Sequence, residues 1–162
     1  MLTSFDASLP PDTQPLTPVL MLTLAIIKPD AIKRALAGKI VAHLEGAGFA
    51  VRAARLIKLS TAQAEAFYEV HRERPFYRSL VTFMTSGPAL ALALERDDAV
   101  ARLREVIGAT DPAEAKPGTV RKLYAESKER NAIHASDAPE TAAREVAFFF
   151  PEGELRDLWG SR

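Results

Sequence analysis

Strand-like and helix-like segments alternate along this chain, and their order constrains the fold more than any other feature of the sequence. Leu20 to Ile27 has the apolar composition of a mostly buried strand, and Ala37 to Gly46 carries apolar residues at helical spacing. Further strands are predicted at Ala50 to Leu59, Ala89 to Leu94 and Ala132 to His134. The order strand, helix, strand, helices, strand, helix, strand predicts a βαββαβ sandwich of the α+β class.

The length and composition indicate one folded domain preceded by a tail. The chain has 162 residues and no cysteine, so its core must hold without disulfides, which is feasible at this size. We expect a single domain over residues 19–162. Residues 1–18 contain four prolines and no lysine or arginine, which predicts a mobile tail and argues against a signal peptide or a mitochondrial presequence.

The charge balance and the apolar runs bear on the partners of the protein. Its 21 basic side chains balance 21 acidic ones, so the chain has no surplus of basic residues that would indicate nucleic-acid binding. A neutral total still leaves room for a local basic patch. The apolar runs are too short to span a bilayer. We therefore expect a cytoplasmic protein with no membrane partner.

A histidine at position 134 stands just ahead of a predicted helix. Asp137 can act as the N-cap and Glu140, three residues later, as its capping-box partner, so the helix is predicted from Ala138 to Phe150. A helix N-terminus favours an anion, and an imidazole beside a phosphate is a suitable nucleophile for phosphoryl transfer. A single histidine at such a place is nevertheless more often a surface or core residue.

The helix that follows His134 carries a carboxylate on its apolar face. Glu145 recurs at helical spacing with Ala138, Ala142 and Phe149, which predicts that its side chain is buried. The positions three and four residues away on the same helix are Thr141, Ala142, Phe148 and Phe149, none of them basic, so the partner of Glu145 must come from elsewhere. His134 is a candidate, because a carboxylate on one ring nitrogen fixes the tautomer and leaves the other nitrogen free to attack. Exposure to solvent or a distant arginine is the alternative.

Residues 108–130 are rich in turn formers and predict a long structured loop, and loops of more than about 12–15 residues tend to carry function. No G-x-x-x-x-G-K-[ST] sequence is present, so side chains would have to hold phosphates. No cluster of carboxylates suggests a protein metal cage. The side chains that could form a cationic phosphate clamp are Lys28 at a strand end, Arg104, Thr110, Lys116, Thr119 and Arg121.

Six motifs, in order, resemble those of the nucleoside diphosphate kinase family. The resemblance implies a ferredoxin-like sandwich in which helices cover a four-stranded antiparallel sheet, and a homo-oligomer of four or six subunits. It also implies Mg²⁺-assisted exchange of the γ-phosphoryl between ATP or other nucleoside triphosphates and nucleoside diphosphates, by a ping-pong mechanism through a phosphohistidine. The motifs are Lys28-Pro29-Asp30, Arg74-Pro75-Phe76, Ser86-Gly87-Pro88, Gly108 to Pro112, Lys116 to Arg121 and Asn131 to Asp137.

The resemblance also implies roles for individual residues. His134 is similar to the phosphorylated nucleophile, and Glu145 and Ser136 are similar to its orienting neighbours. Phe76 would stack on the base with Leu80 beside it, and Mg²⁺ would be carried by the phosphates of the nucleotide. Contacts to phosphates or ribose are implied for Lys28, Tyr68, Arg104, Thr110, Arg121 and Asn131.

The sequence departs from the family pattern at two positions beside the histidine. Ala135 stands where the family usually has glycine, and Ala138 where it usually has serine. We expect Ala135 to be extended and unstrained at a strand end, with its methyl group narrowing the approach to the imidazole. A nucleotide-binding protein of the same fold with weak transfer activity is the alternative function. The full set of polar site residues favours the enzyme.

Overall fold

The computed structural model describes residues 21–160, and the tail predicted for residues 1–18 lies outside them. The described residues form a four-stranded sheet of β1 (Leu22–Ile27), β2 (Ala50–Ile57), β3 (Ala89–Glu95) and β4 (Ile133–Ala135). The strand order is β2-β3-β1-β4, and every neighbouring pair is antiparallel. The predicted ferredoxin-like antiparallel sheet is confirmed.

The helices connect and cover these strands. The helix predicted over Ala37 to Gly46 is observed with those bounds, and a 3₁₀ turn over Glu69–His71 follows the third helix. In chain order the helices are α1 (Pro29–Lys33), α2 (Ala37–Gly46), α3 (Thr61–Phe67), α4 (Tyr77–Met84), α5 (Ala99–Ile107), α6 (Val120–Tyr124), α7 (Pro139–Phe149) and α8 (Glu152–Trp159).

The side chains of β1 alternate between the two faces of the sheet, and each face has its own core. Ala25 and Ile27 pack in a cluster with residues of α2 and α5. Leu24 and Ile26 point to the opposite face and pack in a second cluster with residues of α3, α4 and α7. Because helices cover both faces, the central strand is apolar on both sides, which explains its nearly continuous apolar sequence.

The same alternation on β4 separates His134 from its neighbours. Ile133 and Ala135 are buried in the core shared with α2 and α5, whereas the imidazole lies against residues of α3 and α7 on the other face. Ala135 is in the strand and is not among the residues with positive φ, as expected. The expectation that its methyl group narrows the approach to the imidazole is wrong, because the two side chains point to opposite faces.

The segment predicted as one long loop, residues 108–130, contains helix α6. The Thr119 side chain caps this helix by accepting the backbone N–H of Lys122 at 3.3 Å. Five residues are too few to show helical periodicity, so the loop prediction missed the helix. The signal available in the sequence was Thr119 itself, because threonine is a preferred N-cap residue whose side-chain oxygen can accept the backbone N–H three residues later.

Candidate active site

His134, Ser136 and Glu145 form a hydrogen-bonded group at the β4 edge of the sheet. The imidazole Nε2 lies 2.7 Å from Glu145 Oε1 and 3.3 Å from Oε2. The Ser136 hydroxyl donates to the same Oε1 at 3.0 Å. Strand β4 and the residue after it supply His134 and Ser136, and α7 supplies Glu145. The contact of a buried Glu145 with His134 is therefore as predicted, while the catalytic roles of the three residues stay predictions.

The hydrogen bond from His134 to Glu145 determines which ring nitrogen is free. Glu145 is 4% exposed, and its carboxylate can only accept hydrogen bonds. The proton of the neutral imidazole therefore resides on Nε2, and Nδ1 presents a lone pair. The side chain of His134 is 20% exposed, so a ligand can reach it. In the neutral form of the imidazole, one ring nitrogen is therefore ready to attack an electrophile.

Two aromatic residues at the end of α3 hold the imidazole from the side. Phe67 and Tyr68 meet the His134 ring edge-on, with centroid separations of 5.4 and 6.1 Å. The Tyr68 hydroxyl is buried and has no hydrogen-bond partner among residues 21–160. Burial, together with the charge of Glu145, raises the pKa of Tyr68, so the hydroxyl stays protonated. A buried donor without a partner beside His134 is suited to a ligand oxygen.

A row of rings leads from this point to the surface. Tyr68 stacks on His71 with a centroid separation of 6.5 Å, and His71 lies 5.5 Å from Phe76. Phe76 is 48% exposed. Leu80 is half-buried one turn further along α4, and its N–H donates to the Phe76 carbonyl. The exposed aromatic face can stack on a flat ligand. Sequence reasoning gave His71 no role, although it completes this row.

Lys28 is a buried cation at the end of β1. Burial, and then the charge of Arg121, lower its pKa to about 8 against the opposing charges of Asp30 and Glu129. Arg121 is buried on α6, and its pKa is lowered to about 10 by burial and by the charge of Arg104. Within the described part of the chain, none of these three cations forms an ion pair with a carboxylate. Their field favours a bound anion.

Arg121, predicted as a phosphate ligand in a long loop, lies instead on helix α6, and its role as a ligand stays a prediction. Its Nη1 donates to the Gly108 carbonyl at 2.9 Å, and its Nη2 donates to the Ile133 carbonyl at 2.8 Å. The guanidinium therefore ties the start of the loop to β4, next to His134. Its buried Nε has no partner among the described residues, so that N–H is available to a ligand.

Asn131 and Thr110 are the two remaining polar residues predicted to contact phosphate or ribose. The Asn131 side chain is buried, and its Nδ2 donates to the Lys128 carbonyl at 3.1 Å. Its Oδ1 accepts no hydrogen bond within residues 21–160, so it can accept one from a ligand hydroxyl. Thr110 is exposed on the segment after α5, and its hydroxyl makes no hydrogen bond to the described residues.

The predicted cap of α7 is wrong. The helix begins at Pro139 and its N-cap is Ala138, which has an extended backbone and makes no side-chain hydrogen bond. Proline suits the first helical position because its φ is fixed and it has no N–H to leave unpaired. The cap therefore lies one residue after Asp137, so the predicted pair of Asp137 and Glu140 does not form.

Because the N-cap is an alanine, we expect Ala138→Ser to stabilise the protein. A serine oxygen can accept the backbone N–H of Glu140 or Thr141, which should raise the free energy of unfolding by about 1 kcal/mol. Chemical denaturation of both proteins measures the difference. Ala138→Val offers no oxygen and serves as the control. Equal stability of the serine and valine variants would contradict the assignment of the cap.

Two further observations limit the kinds of site. No group of three or more His, Asp or Glu side chains in residues 21–160 is arranged to hold a metal ion. No helix in the described part is both long and apolar enough to cross a membrane. A concavity of about 750 Å³ is lined by residues of α1, α4 and the segments before β3 and β4, and its lining includes none of the predicted site residues.

Comparison with known proteins agrees with the resemblance. The sequence model described as nucleoside diphosphate kinase matches residues 22–155. The chain is 56% identical to the nucleoside diphosphate kinase of Desulfatibacillum aliphaticivorans over 82% of this chain and 96% of that protein. It is 59% identical to that of Sorangium cellulosum over 82% of this chain and 92% of that protein. A crystal structure of the Aquifex aeolicus enzyme superposes with a TM-score of 0.81 at 44% identity, covering 83% of this chain and 97% of the other.

Proposed function

This chain belongs to the nucleoside diphosphate kinase family, and we propose that His134 is the residue that carries the phosphoryl group between its nucleotides. The enzyme transfers the γ-phosphoryl of a nucleoside triphosphate to a nucleoside diphosphate. The observation that supports His134 is the 2.7 Å contact between Nε2 and the Glu145 carboxylate, which assigns the proton of a neutral imidazole to Nε2 and leaves a lone pair on Nδ1. The weakly active nucleotide-binding alternative is not favoured by these relatives.

The two half-reactions use the same nitrogen. Nδ1 attacks the γ-phosphorus, the bond from Nδ1 to phosphorus forms, and the bond to the bridging oxygen breaks with release of the nucleoside diphosphate. A terminal oxygen of the second diphosphate then attacks the phosphorus and takes the phosphoryl group from Nδ1. The imidazole becomes positively charged while phosphorylated, and the Glu145 carboxylate on Nε2 stabilises that charge.

The remaining residues would position the nucleotide. Lys28, Arg104 and Arg121 would neutralise the charge of the phosphates, which is the main requirement of phosphoryl transfer. Phe76, with Leu80 beside it, would stack on the base. Stacking of about 1–3 kcal/mol per base is available to purines and pyrimidines alike, so a broad base tolerance follows. The hydrogen-bonding groups for phosphate or ribose would be Tyr68, Thr110 and Asn131.

Three further properties are proposed from the family resemblance. Mg²⁺ would bind through the phosphate oxygens of the nucleotide, since Glu145 already holds His134 and Ser136 and no other carboxylate cluster is present in residues 21–160. When bound, it would neutralise phosphate charge. We also propose a homo-oligomer of four or six subunits and a cytoplasmic location.

Labelling with ATP tests the proposed function directly. The protein incubated with ATP labelled at the γ-phosphate, without any acceptor, should acquire label that is lost in acid and stable in alkali, as expected of a phosphoramidate. Addition of a different, unlabelled nucleoside diphosphate should move the label into the corresponding triphosphate. Label that stays on the protein, or that is acid-stable, would contradict transfer through a phosphohistidine.

The lowered pKa of Lys28 predicts how nucleotide binding depends on pH. A phosphate contact favours the charged ammonium, so a bound nucleotide raises the pKa of Lys28 from about 8. The affinity for ADP should therefore be constant below pH 8 and should fall above it, approaching about tenfold per pH unit, because the free protein must then take up a proton to bind. Calorimetric titrations between about pH 7.5 and 9 in two buffers of different ionisation enthalpy measure both effects.

Lys28→Arg is the matched control for this pH dependence. Its guanidinium stays charged over the whole range, so the fall in affinity and the proton uptake should both disappear. An identical fall in Lys28→Arg would show that another group titrates.

A further inference from the structure

We propose that Asp30 is a positioning residue, which holds the Ala132 peptide and thereby sets the place of His134 for phosphorylation. This inference rests on the proposed function of His134. Asp30 lies on α1, far from the imidazole in the chain, and the resemblance gave it no role of its own. The inference depends on an unusual backbone conformation two residues before His134 and on what surrounds it.

Ala132 has a backbone conformation that alanine rarely adopts. Its φ is 72°, in the left-handed region, and the residue is fully buried. The N–H of Ile133 donates to the carbonyl of Asn131 at 2.9 Å, so the chain turns back sharply across Ala132. Such a conformation persists only when its surroundings hold it, and residues of this kind concentrate at functional sites.

Both polar groups of the Ala132 backbone are held by the segment after β1. The Ala132 N–H donates to Asp30 Oδ2 at 3.1 Å, and the backbone N–H of Lys28 donates to the Ala132 carbonyl at 2.9 Å. The contact joins residues 102 positions apart. The peptide of Ala132 is therefore clamped between the two residues that flank Pro29.

The Asp30 carboxylate has few other hydrogen bonds to explain its burial. The side chain is 5% exposed, and its Oδ1 has no partner among the described residues. Burial raises the pKa of Asp30 in spite of the opposing effects of the Ala132 N–H, the charge of Lys28 and the backbone N–H groups of Asp30 and Ala31. A charge at the first turn of α1 is also favoured by the helix dipole, but an exposed position would serve that purpose equally well. The buried position of Asp30 additionally allows its carboxylate to accept the Ala132 N–H.

The clamp bears on His134 because Ala132 directly precedes β4, the strand that carries the imidazole. The carbonyl of Ile133 accepts from Arg121, and the partner of the imidazole, Glu145, is on the separate helix α7. A shift of the Ala132 peptide therefore moves the imidazole relative to Glu145 and to the cations. A misplacement of about 1 Å can cost about 10²-fold in rate.

The experiment measures the single-turnover rate of His134 phosphorylation at saturating ATP, together with the KM for ATP. Asp30→Ala should lower the rate by about 10–100-fold and change KM less than about threefold. Glycine adopts positive φ without the clash of a Cβ. The double variant Asp30→Ala with Ala132→Gly should therefore recover to within about fivefold of Ala132→Gly alone.

Ala35 provides a matched control. It is also an alanine with positive φ, 57°, but it is exposed in the turn between α1 and α2. Ala35→Gly relieves the same kind of strain away from His134 and should not restore the rate of Asp30→Ala. Equal rescue by Ala35→Gly would overturn the inference, as would a normal rate in Asp30→Ala or the absence of rescue by Ala132→Gly.

Two further outcomes keep the inference and the proposed function apart. If Asp30→Ala does not fold, the same comparison is made with Asp30→Asn, whose neutral oxygen makes a weaker bond. The phosphorylation rate of Asp30→Asn should fall by about 3–10-fold and should be restored by adding Ala132→Gly. An unchanged rate in Asp30→Asn, or no recovery with Ala132→Gly, would overturn the inference. An unlabelled His134 in the natural protein would instead contradict the proposed function itself.

Discussion

Replacement of His134 by glutamine is expected to abolish phosphoryl transfer. Glutamine fills a similar space and can still hydrogen-bond to Glu145, but it has no nucleophilic nitrogen. We expect no covalent label from ATP and a fall in kcat of at least about 10⁴-fold, in line with the loss of a nucleophile in other covalent catalysts. Nucleotide affinity should change little, because the cations proposed to bind phosphate and the proposed stacking residue Phe76 are intact. Labelling and equilibrium binding on the same preparation measure both.

His43→Gln is the control for this variant. His43 lies on α2, a helix that packs on the face of the sheet opposite to the His134 imidazole. Its replacement should leave labelling unchanged. Persistent acid-labile labelling of His134→Gln, or loss of labelling in His43→Gln, would remove His134 from the role of phosphoryl carrier.

The second large effect is expected for Glu145→Gln. The carboxamide can turn its NH₂ group toward His134 Nε2, and the proton of the imidazole then moves to Nδ1, the nitrogen that must attack. A comparable change beside a catalytic histidine of serine proteases lowers kcat about 10⁴-fold through the wrong tautomer. We expect a loss of roughly 10²–10⁴-fold in the rate of phosphorylation. Nitrogen NMR of the imidazole should show the proton on Nε2 in the natural protein and on Nδ1 in the variant.

Ser136→Ala separates the tautomer effect from the loss of a hydrogen bond. It removes the other donor to the same Glu145 oxygen and leaves the carboxylate in place. Its rate should fall less than that of Glu145→Gln, and the proton should stay on Nε2, because the carboxylate that accepts from the imidazole N–H remains in place. A Glu145→Gln variant that is phosphorylated at the natural rate would show that the carboxylate does not set the tautomer.

Some features of this protein were determined by the sequence alone. The apolar run of β1 predicts a strand buried on both faces, and the helical period of α2 predicts a helix buried on one face. Both predictions need only the residues of the element itself. The same reasoning placed Glu145 on the buried face of its helix and required a partner for it. Six ordered motifs then supplied the family, which the comparisons confirm.

Other features depended on which distant segments meet, and local patterns do not contain that information. Pro139 moved the start of α7 past Asp137, and the five residues of α6 were too few to show a period. The register of β4 against β1 pairs Ile26 with His134 and turns the methyl group of Ala135 to the opposite face. The bond from Ala132 to Asp30 spans 102 positions of sequence, so only the folded chain reveals it. Pairing across such distances is decided by packing of whole elements, which is why the tertiary structure alone shows how the imidazole is held.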